Sequence, residues 1–124
     1  MNTSLESLRS LLRENVAEIS FVRRRPRPGK PPVRRMLCTL SDKILNSENG
    51  RLSLNYKSSS GVLPYNTTGK NLLPVWDIFM QDWRMVSLDN CNVLTTYNEE
   101  QFWKYFNEKL ILMSAAEKIL YMDS

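Results

Sequence analysis

Leu5, Leu8, Leu11 and Leu12 recur at the spacing of one helix face, with Arg9 and Arg13 off it, so the chain opens on a short amphipathic helix. Thr3-Ser4-Leu5-Glu6 has the form of a capping box, in which the Thr3 hydroxyl and the Glu6 carboxylate each satisfy an amide at the helix start. A helix this short is marginal alone and is expected to dock on an end or edge of the body. From Val16 the period changes to two. Val16, Glu18, Ser20 and Val22 alternate with Ala17, Ile19, Phe21 and Arg23, and a second alternating run sets Val33, Arg35, Leu37 and Thr39 against Arg34, Met36, Cys38 and Leu40. These runs predict two strands of a hairpin. Pro26, Pro28, Pro31 and Pro32 between them cannot donate to a ladder, so the connection is a protruding, proline-stiffened tip.

Residues 41–72 carry the weakest pattern. Turn residues cluster at 46–50 and 58–61, and the alternation of Arg51-Leu-Ser-Leu-Asn-Tyr56 predicts one short strand. Apolar runs resume with Leu73, Val75, Trp76, Ile78 and Phe79, then Trp83, Met85, Val86 and Leu88, then a β-rich stretch over 91–97, which together predict a meander of three strands. With the hairpin this makes five strands at short spacing, as a small, strongly bent barrel requires. Asn98 followed by Glu99 and Glu100 predicts a helix start, and Phe102, Phe106, Leu110 and Met113 line one face of that helix. Ser114-Ala-Ala-Glu117 is a second capping box, at which the helix breaks or bends.

The expected fold is therefore mostly β with flanking helices: a small SH3-like or Sm-like barrel with an N-terminal helix and a basic loop at 23–35 over residues 1–97, and a C-terminal helical extension packed on it over 98–124. The 124 residues allow one core and one domain.

Charge changes the picture at one place. Arg23, Arg24, Arg25, Arg27, Lys30, Arg34 and Arg35 place seven positive charges within thirteen residues, with no acid between Glu18 and Asp42, and leave ten bases against thirteen acids elsewhere. A molecule so divided is steered to polyanions by one end. Six of the seven are arginines, whose planar guanidinium groups make bidentate contacts to phosphate or carboxylate and stack on flat groups.

Several chemistries are excluded. The chain has no histidine and only two cysteines, Cys38 and Cys91, which removes histidine-dependent triads, histidine-containing zinc sites and all-thiolate metal centres. The cysteines read as buried thiols of a reducing compartment, not a disulfide. Asp77 and Asp82 flank one turn, and Asp77 reads as a turn residue or a partner of Arg84, not as a catalytic acid. Thr68-Gly69-Lys70-Asn71 lacks the glycine spacing of a phosphate loop. No stretch approaches the roughly 18 apolar residues of a membrane span, and the polar, periodic first fifteen residues do not form a secretion signal. A cytoplasmic protein without cofactor, metal or small-molecule substrate is expected.

Phe21, Met36-Leu-Cys38-Thr39, Trp76-Asp77 and Trp83-Arg84 together resemble the pattern of a family of small phage proteins with an Sm-like, SH3-like barrel related to the WYL-type barrels. The likeness runs from about Leu5 to Asn90. It implies a phage accessory protein acting in the cytoplasm of the bacterial host, without implying a defined biochemistry. The long basic proline loop and the helices after Asn98 depart from the family pattern.

Two functions fit the residues. In the first, the seven cations contact the phosphates of nucleic acid with little sequence specificity, with Trp76 and Trp83 as candidate stacking rings. In the second, a phage effector uses the loop on an acidic surface of a host protein, such as RNA polymerase or a defence factor. Exposed rings beside the arginines would favour the first; an exposed stripe of Phe102, Phe106 and Leu110 would favour the second.

Overall fold

The leucine stripe forms helix α1 (Leu5–Glu14), which buries Leu8 and Leu12. Its end is fixed by the buried Thr39 hydroxyl, which donates to the Asn15 carbonyl at 2.9 Å with the Leu12 carbonyl 3.3 Å away, and by the Leu40 amide, which donates to the carbonyl of Leu12. The alternating runs form β1 (Val16–Val22) and β2 (Val33–Thr39). They pair antiparallel from Val16 opposite Thr39 to Val22 opposite Val33. The computed structural model describes residues 5–23, 28–57, 72–88 and 90–123, so Thr3 of the first capping box, Arg24, Arg25 and Arg27, and the Thr68–Asn71 motif lie outside the described residues.

The segment after β2 is helical. Short helices α2 (Asp42–Leu45) and α3 (Glu48–Ser53) follow one another, and the Ser47 hydroxyl caps α3 by accepting from the Gly50 amide. The strand expected over 51–56 is thus corrected: Leu52 points outward while Leu54 is buried, so the Leu-x-Leu spacing marks the end of a helix. Gly50 has a steric reason to be glycine, because a Cβ there would lie 1.9 Å from the Ile44 carbonyl oxygen of α2.

Strands β3 (Leu72–Asp77) and β4 (Asp82–Ser87) form the second hairpin, in full register from Leu72 opposite Ser87 to Asp77 opposite Asp82. Strand β5 (Asn92–Tyr97) does not continue this pair as a meander; it crosses to β1, with a bulge at Glu18 and Ile19. The result is one five-stranded antiparallel sheet of order β4-β3-β2-β1-β5. β1 and β4 still come into contact, so the sheet is bent, but it is not closed among the described residues.

Both faces of the sheet are covered. Ala17, Ile19, Phe21, Met36 and Cys38 pack under α1 with Leu73, Val75 and Val86. On the opposite face Val16, Leu37 and Trp76 meet Ile44, Leu45 and Leu54 from the α2–α3 segment and Phe102, Phe106 and Leu110 from the C-terminal helices. Helix α4 (Glu99–Glu108) begins at a complete capping box of Asn98 and Gln101. A single 3-10 turn at Leu110–Leu112 comes next, and the chain then breaks at Ser114 and restarts as α5 (Ala115–Met122), capped by Ser114 and Glu117. No described helix is long and apolar enough to cross a membrane.

Candidate functional site

The β1–β2 ladder runs to the base of the basic loop, where the Arg23 amide donates to the Pro32 carbonyl at 2.8 Å, and Gly29 turns the returning chain with φ +76°. A positive φ is costly for residues with a Cβ. The strand register then decides where the cations go. Ser20 opposite Arg35 places that guanidinium diagonal to Glu18, on the face of Val16 and Leu37. Arg34, opposite Phe21, lies on the other face, with its guanidinium carbon 5.9 Å from the Phe21 ring centroid.

Each of the four described cations meets a carboxylate of the chain itself. Arg23 Nη2 is 2.7 Å from Asp123 Oδ1, and Lys30 Nζ is 2.8 Å from Asp123 Oδ2. Arg34 Nη2 is 2.7 Å from Asp77 Oδ2. Arg35 pairs with the buried Glu18. These four therefore do not stand clear in solvent as the run of like charges along the sequence leads one to expect. Their acids arrive from β1, from the end of β3 and from just beyond α5.

Asp77 is a structural residue. It is only 1% exposed. Its Oδ1 accepts from the Phe79 and Met80 amides at 3.1 Å each, shaping the β3–β4 turn, while its Oδ2 takes Arg34. The turn role matches expectation; the arginine does not. Arg84 turns instead to Asp82 and to the Trp83 carbonyl.

The last turn of α5 closes over the base of the hairpin. The β2–β3 ladder is short, confined to Cys38 opposite Asp77 and Thr39 opposite Trp76, with the Ile78 amide donating to the Leu37 carbonyl. α5 packs on β2 and meets the arginines of its first half. The Arg35 guanidinium sits over the Tyr121 ring at 4.8 Å, Arg34 Nη2 is 3.3 Å from Met122 Sδ, and Tyr121 meets Phe79 edge to face at 4.8 Å. The hydrogen bond from Lys30, joined by the charges of Arg23 and Arg34, holds the Asp123 carboxyl below its ordinary pKa against a smaller opposing effect of burial. Burial pushes the Tyr121 hydroxyl well up, the charge of Arg35 opposing it.

The aromatic candidates divide. Trp76 is 1% exposed and packs edge to face against Tyr56 and Trp83, so it offers no open ring face for stacking. Trp83 is half-buried and donates its Nε1–H to the Lys57 carbonyl. Phe102, Phe106 and Leu110 are buried in the core, so they form no exposed stripe. Cys38 and Cys91 are free and buried. Desolvation raises both thiols, Cys38 strongly, with the Asp77 charge adding to it, and Cys91 to about 11.

Sequence reasoning does not find Glu18, Tyr121, Met122 or Asp123. Glu18 carried a signal, since an acid within the apolar strand Val16–Val22 has to find a cation when buried. Comparison of the chain with protein-family models, curated proteins and solved structures finds no match.

Proposed function

We propose that the chain is a non-enzymatic binding module of phage origin, acting in the host cytoplasm, that uses its arginine hairpin to hold nucleic acid with little sequence specificity. One observation carries this reading: an excess of positive charge in one short stretch of the chain. Seven cations belong to residues 23–35, and three carboxylates, Glu18, Asp77 and Asp123, answer the four that are described. An excess of guanidinium on one hairpin suits phosphate, and contacts to phosphate give affinity and register without reading bases. Trp83 is the ring left with partial exposure for stacking.

The barrel itself belongs to this proposal. The bend that brings β1 against β4 supports an SH3-like or Sm-like barrel, which would be completed by closure between the outer strands β4 and β5. The phage assignment rests on the short motifs shared with that family.

A second reading, a phage effector that binds an acidic host protein, is favoured by a different observation. Ile111, Leu112, Ile119 and Leu120 are exposed on the 3-10 turn and α5, Leu112 to 76% and Leu120 to 71%, and apolar side chains gathered on one exposed segment are what a protein partner would cover. Affinity capture from bacterial lysate, with and without nuclease, separates the two. Nuclease-sensitive recovery of nucleic acid is expected, and a nuclease-resistant protein partner without nucleic acid would replace the first reading by the second.

A further inference from the structure

We propose that the end of α5 is an internal competitor for the hairpin's anion site, so that nucleic acid binds fully only when Asp123 and Tyr121 leave the arginines. This rests on the nucleic-acid reading above. The contacts that α5 makes are those a strand of nucleic acid would make. The Asp123 carboxylate bridges Arg23 and Lys30 as a phosphate would, and the Tyr121 ring lies on the Arg35 guanidinium as a base would.

The helix is built to be displaced. α5 contains no buried residue, in contrast with α4, which buries Phe102 and Phe106. Ile119 and Leu120 face outward, and Tyr121 and Met122, which turn toward β2, are only half-buried. Polar and ring contacts to Arg23, Lys30, Arg34, Arg35 and Phe79 help to hold its end. The Lys30–Asp123 pair is exposed and the Arg23–Asp123 pair only part-buried; pairs near the surface are individually weak, and a ligand offering many phosphates to the same cations displaces one carboxylate. The Ser114–Glu117 capping box lets α5 keep its own helical start while its far end moves.

The test is fluorescence anisotropy with a labelled single-stranded DNA oligonucleotide at low salt, comparing the wild-type chain with Asp123→Asn and Tyr121→Ala. Glu108→Gln serves as the control for net charge, being exposed on α4 and removing one negative charge as Asp123→Asn does. Release of the competing carboxylate predicts binding about 5-fold tighter for Asp123→Asn than for Glu108→Gln. Tyr121→Ala is also expected to tighten binding, and amide exchange over 115–122 in the wild type should quicken when the oligonucleotide is added. If the wild type binds while Asp123→Asn and Tyr121→Ala bind no better than Glu108→Gln, the competitor is refuted and the nucleic-acid reading stands. If none of the four binds, the nucleic-acid reading fails and the competitor falls with it.

Discussion

Arg34 and Asp77 form an ion pair across the β2–β3 junction, 2.7 Å between Nη2 and Oδ2, in which the acid is almost completely buried. The same carboxylate holds the two amides of the following turn. Asp77→Ala would strand a largely buried guanidinium and two turn amides together. A loss of about 3 kcal/mol is expected from breaking such a pair by removing one partner, measured by urea denaturation. A loss below about 1 kcal/mol, the size of an exposed pair, would mean that Arg34 is free to find water.

The two hairpins, α1 and both C-terminal helix starts were legible because their signals are local: a change of period from 3.6 to 2, prolines between Val22 and Val33, and Asn98 and Ser114 as caps. The partner of β5 was not legible. Nothing within Asn92–Tyr97 says whether it pairs with the preceding β4 or with β1. The site divides in the same way. Its cations sit in one run, but Arg34 finds its acid 43 residues away and Arg23 finds its acid 100 residues away, and charge counted along the chain cannot register acids delivered by folding. Leu52 and Leu54 misled for a physical reason as well, since a two-residue spacing fits both a strand and the end of a short helix.

Gly50 tests the packing of α2 on α3. With a Cβ placed 1.9 Å from the Ile44 carbonyl oxygen and 2.5 Å from that of Leu45, Gly50→Ala must push backbone apart. Overpacking of this kind costs about 1–3 kcal/mol. Thermal unfolding of the variant should show a lower midpoint, and an unchanged midpoint would mean that the two helices are not joined this tightly.

Acid should loosen the end of α5. Asp123 faces Arg23, Lys30 and Arg34, all positive in the acid range, and its pKa is held below the ordinary 3.8. A depressed carboxyl contributes stability that is fully present above the unfolded pKa and is lost as pH falls through the folded value. Carboxyl chemical shifts should therefore place the Asp123 midpoint below the ordinary 3.8, with amide exchange over 115–122 rising in the same window. A midpoint at or above the ordinary value would show that the ion pairs do not form in solution.

Cys38 and Cys91 should be inert in the folded protein. Burial raises both thiols, Cys91 to about 11 and Cys38 well above the ordinary 9.0, and the thiolate is the reactive form. Alkylation at mildly alkaline pH should label neither until denaturant is added. Rapid labelling of the native chain would contradict the burial of β2 and of Cys91.

The salt dependence of nucleic-acid binding tests the arginine hairpin most directly. Log affinity for an oligonucleotide should fall linearly with log salt, and replacing Arg24, Arg25 and Arg27 by alanine should flatten the slope by about 0.7–0.9 for each phosphate that is no longer neutralised. Absence of binding at low salt, or a slope that these three replacements leave unchanged, would contradict a phosphate-binding hairpin.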